Sequence, residues 1–467
     1  MSRFTPDAAA ALDGPDWLRT RRTAAAERFA AVSLPTAAEE IWRYSRVSQL
    51  DLDRYVPAGG ASGRGNGNGP AGVPAGLDRV LAISGARSGL LVLHNGRVVH
   101  RELDPALEAR GVVLGDALDL PDGDDVVARA DSSADAFTEL NAAFLRGAAV
   151  LRVPPGVAVP EQILILHWFD GEGDDGPAGD DDDGAGGDGA GGDGAGGEGI
   201  AAFPRTILSA GPDSQVTVVE HQASADVRAL VDPMVHIDVA DAARLRYLNV
   251  QDLGPRVFQV GYQASQVGRD ASLYSSVVAL GGDYARVRTD SRMTGKGGSA
   301  ELNAVYFTDG DRMHDFRTLQ DHIAPSTSSD LLFKGALQDR GRSVYSGLIR
   351  VQPEARGTNA FQTNRNLVLS EGAGAESVPN LEILTDDVRC SHASAVGPVD
   401  EEQLYYMESR GIPPVAAERL IVLGFLGEVL DRLPSPSLVA SVRAAIARRL
   451  ASRDDADADA TAGAPAR

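Results

Sequence analysis

The chain has 467 residues, 43% of them hydrophobic and 24% charged, so it can bury a sizeable core and exceeds the length at which one compact core keeps growing. Acidic residues outnumber basic ones, 66 to 44, and the formal charge of −22 repels phosphate backbones and anionic lipid, which argues against nucleic acid and membrane as partners. Cys390 is the single cysteine, so an intramolecular disulfide is excluded and a cytoplasmic setting is expected.

The opening segment, MSRFTPDAAAALDGPDW, has no basic stretch followed by an apolar one, and no apolar run reaches bilayer length. No targeting or membrane segment is expected. Residues 1–57 form a predicted N-terminal helical region. Within it, Leu18, Ala25, Phe29 and Val32 recur near helical spacing in an Ala-, Arg- and Glu-rich run, which predicts helix from Asp16 to about Tyr44. Residues 58–77 are dense in Gly, Pro and Asn and read as a flexible linker. Residues 78–400 form the predicted core. It is interrupted at 170–199 by near-repeats of GGDGA, whose acidity adds self-repulsion to backbone entropy, so a disordered acidic loop is expected there.

From about Arg205 the pattern becomes short period-two runs, including Gln215–Val219, Arg244–Val250, Arg256–Val260 and Ser272–Val278. Such runs predict strands with one buried face. The turns between them recur as GPDSQV, ADAARL, GRDASL, GKGGSAEL and DRGRSV. The first apolar residues after the first four are Val216, Leu245, Leu273 and Leu302, at separations of 29, 28 and 29. A unit too short to close its own core, repeated at fixed length, predicts a β-solenoid whose coils share one core; evenly spaced hairpins of a β-sandwich are the alternative.

After Asp400 the period becomes helical. Asp400 and Gln403 have the form of a capping box, and Gly411 ends the first helix. Pro413-Pro414 starts a second helix, with an apolar face of Leu420, Ile421, Leu423, Gly424, Phe425 and Val429. A third starts at Ser437 and places Leu438, Val442, Ala445, Ile446 and Leu450 on one side. Residues 401–451 thus form a small helical domain, and 452–467 are expected to be a disordered tail.

Signatures of nucleotide or zinc catalysis are missing: there is no phosphate loop ending in Lys-Ser or Lys-Thr, no HExxH and no CxxC. Gly295-Lys-Gly-Gly-Ser lies between two predicted strands and reads as a plain turn. Two clusters remain. In a strand, Cys390 and His392 share a face and can present sulfur and nitrogen to one metal or one partner surface. They supply two donors where an iron–sulfur cluster usually takes four, so a second chain would have to supply the others. His314-Asp315 and Asp321-His322 flank Arg317–Gln320. They are read as side chains that hydrogen-bond one another, with metal binding or acid–base work as the alternative.

The stretch Pro379-Asn-Leu-Glu-Ile-Leu-Thr-Asp-Asp-Val-Arg-Cys-Ser-His-Ala-Ser-Ala-Val-Gly397 resembles the P-x-L-E-I-x-x-D-D-V-x-C-S-H-G-A-T-V-G signature of SufD-type proteins in the SufB/SufD family. Asp400–Ile412 is similar to the family's I-D-x-x-Q-L-F-Y-L-x-S-R-G-I, Asn359–Ser370 to the run before the signature, and Glu40-Ile-Trp-Arg-Tyr44 to an N-terminal E-x-W-R-Y element. Ala393-Ser394-Ala395 departs from G-A-T, and Pro398 stands where a basic residue is frequent. A SufB paralogue would carry more cysteine, so the single thiol in a C-S-H context favours the SufD type.

The resemblance implies a mainly β protein, with a right-handed parallel β-helix core flanked by helical regions. It also implies a non-catalytic scaffold of the SUF iron–sulfur cluster assembly complex, paired edge to edge with SufB and docked to the SufC ATPase. Without SufB, a homodimer is a further expectation. By the same resemblance His392, with Cys390 beside it, belongs to the cluster-assembly interface, and His392 is the metal-contacting residue shared with the partner subunit. Arg410, Gly411 and Phe425 fall at the SufC contact. No cofactor is expected to reside in the isolated chain; a transient Fe–S cluster would form at the SufB interface. The rival function is a β-helix enzyme acting on acidic polysaccharide through Asp315 and Asp321.

Overall fold

The structure, a computed structural model, describes residues 3–58, 73–171 and 198–462, with side chains through residue 451. The expectations for 59–72, 172–197 and 463–467 lie outside the described residues. The described residues are mostly β, and the strands wind into a parallel β-solenoid of about seven turns with helices at the termini.

Each coil gives one strand to each of two sheets, so sequence neighbours alternate between sheets while strands two apart pair in parallel. This parallel pairing rules out the β-sandwich. Val216 aligns with Leu245 and Leu245 with Leu273, as the 29- and 28-residue spacings predict. The next partner of Leu273 is Ala300, whereas Leu302 aligns with Ser275. The coil is one of 27 residues at that step (300 − 273), and the two-residue slip escaped the sequence reading because it keeps Leu302 on the same inward face.

The first four recurrent turns stack on one corner, whereas DRGRSV joins Ser328–Leu337 to Arg342–Val351 on the opposite one. Asp213, Ala242, Asp270, Gly297, Ser326 and Gly357 all have positive φ. Each donates its backbone N–H to a carbonyl one coil further on, ending with Gly357 to Asp387 at 2.7 Å. Gly297, in the expected plain turn 295–299, needs its missing side chain: a Cβ there would lie 2.4 Å from Asp270 Oδ1.

At the N-terminal end the sheets close with antiparallel strands, Arg97–Leu103 on one and Val113–Asp116 on the other. The lumen there is aliphatic, with Leu91, Leu93, Ile163, Ile165, Leu208, Val218 and Ile237 in one buried cluster. Towards the C-terminal end it turns polar. Asn364 Nδ2 donates to Tyr306 Oη at 3.1 Å, Tyr306 Oη to Asn366 Oδ1 at 2.5 Å, and Asn366 Nδ2 to Asn364 Oδ1 at 2.9 Å.

The N-terminal helix runs Asp16–Ala31 and stops well short of Tyr44. Pro35 lies just beyond and cannot continue a helix, and Val32, expected on the apolar face, is 50% exposed. Glu40–Trp42 is one 3-10 turn, and Tyr55–Pro57 pairs with Gly199–Ala202. The end of the expected linker is packed, with Val73 and Leu77 buried in the core. The edges of the expected acidic loop are also structured: Asp170 accepts from Trp168 Nε1 at 2.8 Å, and Gly199 opens a strand.

The C-terminal helices are Glu401–Ser409, Pro414–Leu430 and Pro436–Ala462. The second buries Val422, Leu426, Val429 and Leu430 and leaves Leu420 51% exposed, so its inner stripe is rotated from the expected one. The third buries Leu438, Val442, Ile446 and Leu450 as expected and continues past Ser452, because its Ala-rich sequence has high helix propensity. The second helix packs on strands Ser299–Thr308 and Ser328–Leu337, on the outer face of the ten-stranded sheet.

Candidate functional site

Both sheets end at the last coil. Strand Gly374–Ile383 terminates the twelve-stranded sheet and pairs only with Arg342–Val351; Val388–Gly397 terminates the ten-stranded sheet and pairs only with Thr358–Val368. Their outer edges therefore carry backbone N–H and C=O groups with no ladder partner among the described residues, the arrangement that templates pairing with another strand. Apolar side chains concentrate here: Ile383, Leu384, Val378 and Val396 are exposed, as is Phe361 one coil below.

Cys390 and His392 stand on this terminal strand. Cys390 aligns with Ala360 and His392 with Gln362, both fully buried lumen residues, so thiol and imidazole belong to the inward face at the open mouth of the solenoid. Cys390 is half-buried, packed against the cluster of Ile349, Val351, Ala355 and Ala360. Burial pushes its thiol pKa up, partly offset by a hydrogen bond with the Ala360 backbone. At neutral pH it is therefore held as the thiol, a weak ligand until a metal or a cationic neighbour displaces the proton. His392 is exposed. No group of three or more His, Cys, Asp or Glu that could hold a metal ion occurs among the described residues.

Sequence reasoning passed over Gln362, whose Oε1 accepts from Tyr345 Oη at 2.8 Å and whose Nε2 donates to the Asn380 carbonyl at 3.2 Å. The signal was present: Gln362, Asn364 and Asn366 alternate at period two, which in a half-buried strand marks a polar inward face.

The other predicted partner residues lie apart from this mouth. Gly411 has φ +83° and ends helix Glu401–Ser409, which Asp400 caps by accepting from Gln403 N at 3.0 Å. Arg410 is exposed, 5.2 Å from the Tyr406 ring centre, and donates to Tyr406 Oη. That helix buries none of its residues, and Tyr405 is 74% exposed. Phe425 instead turns towards the solenoid. Lys334 Nζ lies 4.4 Å from the centre of its ring, donates to its carbonyl at 3.0 Å and ion-pairs with Glu428 at 2.5 Å, so Phe425 helps to fix the helical domain to the sheet.

The Asp–His cluster resolves differently from the expectation. All four residues lie in strand Met313–His322, where neighbours point to opposite faces and cannot pair with each other. His314 binds Thr308 Oγ1 and the Gly281 carbonyl; His322 binds Thr327 Oγ1 and Ser329 Oγ. Asp315 is buried among Tyr284, Arg286 and Arg317, and Asp321 accepts from Gln352. Asp315 is fully buried and Asp321 only 7% exposed, so neither carboxylate is presented to a polysaccharide chain.

Fold and site together define a parallel β-solenoid whose last coil is left open and carries the chain's thiol beside an imidazole. The family described as SUF system FeS cluster assembly, SufBD core domain, matches residues 194–425. SufD of Escherichia coli is 27% identical over 429 residues, 91% of each chain. SufD of Bacillus subtilis is 28% identical over 319 residues, 67% of each. An iron–sulfur cluster assembly SufBD family protein of Mycobacterium tuberculosis is 40% identical over 243 residues, and the match spans 50% of this chain and 60% of that relative's length. The chain belongs to the SufB/SufD family of SUF-system iron–sulfur cluster assembly proteins, on the SufD side of it. No helix among the described residues is long and apolar enough to cross a membrane.

Proposed function

We infer that this chain is a non-catalytic scaffold subunit of the cytoplasmic SUF machine, joined at its open solenoid end to a SufB-type subunit and docked through its C-terminal helices to a SufC-type ATPase. The observation that carries this reading is the terminal coil, whose two strand edges have no ladder partner among the described residues, with clustered apolar side chains and Cys390 and His392 at its mouth. Two donors are too few for a cluster. They become half of a site once a second edge pairs with the coil and brings its own ligands, and the Fe–S cluster is then cargo assembled at the seam.

The exposed helix Glu401–Ser409, with Tyr405, Tyr406 and Arg410, offers aromatic and guanidinium contacts of the kind that anchor protein interfaces. ATP hydrolysis in the docked partner would supply the work that opens and closes the seam, and this chain would hydrolyse nothing. Co-expression with SufB- and SufC-type subunits, followed by purification through a tag on this chain, tests the reading. A stable three-component complex is expected; a chain that purifies alone, or only with itself, would contradict it.

A further inference from the structure

We propose that Gln362 is a positioning residue of the Cys390–His392 half-site, fixing the His392 ring from one coil below. The inference rests on the reading just given, since it assigns a part within the same site.

His392 lies directly over Gln362 in the parallel ladder, one strand spacing away, about 4.8 Å. Gln362 is a polar side chain 1% exposed, in a lumen that is aliphatic at its other end. A buried amide is stable only when its polar atoms are satisfied, and the bonds it makes span the solenoid. Tyr345 Oη reaches it from the opposite sheet. Its own Nε2 reaches Asn380, on the last strand of that opposite sheet. Tyr345 is held in turn, its hydroxyl 3.3 Å from Thr318 Oγ1 and its ring edge-on to Phe333 at 5.5 Å. The backbone leaves room for this arrangement at one place: a Cβ on Gly347 would lie 2.1 Å from Tyr345 Oη and 2.5 Å from Gln362 Oε1. The half-site thus has a fixed polar floor.

A carboxamide has two N–H donors and two acceptor lone pairs. The bonds to Tyr345 and Asn380 use one of each, leaving one N–H and one lone pair a single rung from the imidazole. A hydrogen bond to one ring nitrogen selects the tautomer and leaves the other nitrogen to face the metal. Gln362 would act on the cluster only through His392.

The test uses the full chain, labelled with 15N-histidine, and the same variants co-expressed with SufB- and SufC-type subunits. Gln362→Met keeps the shape and removes both polar groups; Tyr345→Phe removes only the hydroxyl that orients the amide. Both are expected to move the His392 ring 15N signals, to change its tautomer ratio and to lower cluster yield several-fold, with the Phe variant showing the smaller effect and keeping the fold should the Met variant fail to fold. Unchanged His392 signals in a folded variant would overturn the positioning role. If His392→Ala gives wild-type cluster yield, the functional reading falls, while the ring signals still decide whether Gln362 sets the imidazole.

Discussion

The guanidinium of Arg286 lies 3.8 Å from the centre of the Trp42 ring, on the outer face of the twelve-stranded sheet. Arg286 also donates to the Ile41 carbonyl and Arg317 to the Arg43 carbonyl, while Asp315 holds both guanidinium groups. The E-x-W-R-Y element is therefore a latch, placing a buried indole and two backbone carbonyls on a pair of buried arginines.

Trp42→Ala should cost about 3–5 kcal/mol, since it removes a fully buried aromatic side chain and the cation–π contact together. Hydrogen exchange across residues 16–57 checks it. Faster exchange confined to that segment is expected, with the solenoid strands unaffected.

His322 makes the stability of the chain acid-sensitive in a calculable direction. Burial pushes its folded pKa down to about 4, against an ordinary 6.5. Between these values the unfolded chain binds a proton that the folded chain does not. The contribution of the neutral imidazole is therefore complete above about pH 6.5 and is lost as pH falls towards 4. Denaturant unfolding of wild type and His322→Gln across that window should show the wild-type advantage shrinking by roughly 3 kcal/mol. An advantage constant with pH would show that the ring protonates normally in the folded state.

Leu384→Lys separates folding from assembly. Leu384 is 50% exposed just past a terminal strand, so the lone chain should lose no more than about 0.5 kcal/mol. A lysine at the proposed seam would be desolvated on pairing, and recovery of the SufB-type subunit in pull-downs should fall markedly. Equal recovery would move the interface elsewhere.

The strand period, the turn chemistry and the last two helices were legible in the sequence because each rests on local patterning: Val216, Leu245 and Leu273 sit where their spacing puts them. What escaped depends on contacts between distant coils. Leu302 slipped two residues without changing face, Phe425 turned inward because Lys334 waits on a strand 91 residues earlier, and Asp315 was claimed by arginines that the N-terminal latch requires. In the site, the shared face of Cys390 and His392 followed from strand periodicity alone. Gln362 did not, because its role depends on register with the next coil.

The proposed role of His392, within a site completed by another subunit, is tested most directly by measuring iron and acid-labile sulfide in the co-purified complex of wild type and of His392→Ala. The exposed imidazole plays no part in the core, so the variant complex should assemble at wild-type stoichiometry while its cluster content falls on the order of tenfold. Equal cluster content in an intact His392→Ala complex would contradict the claim.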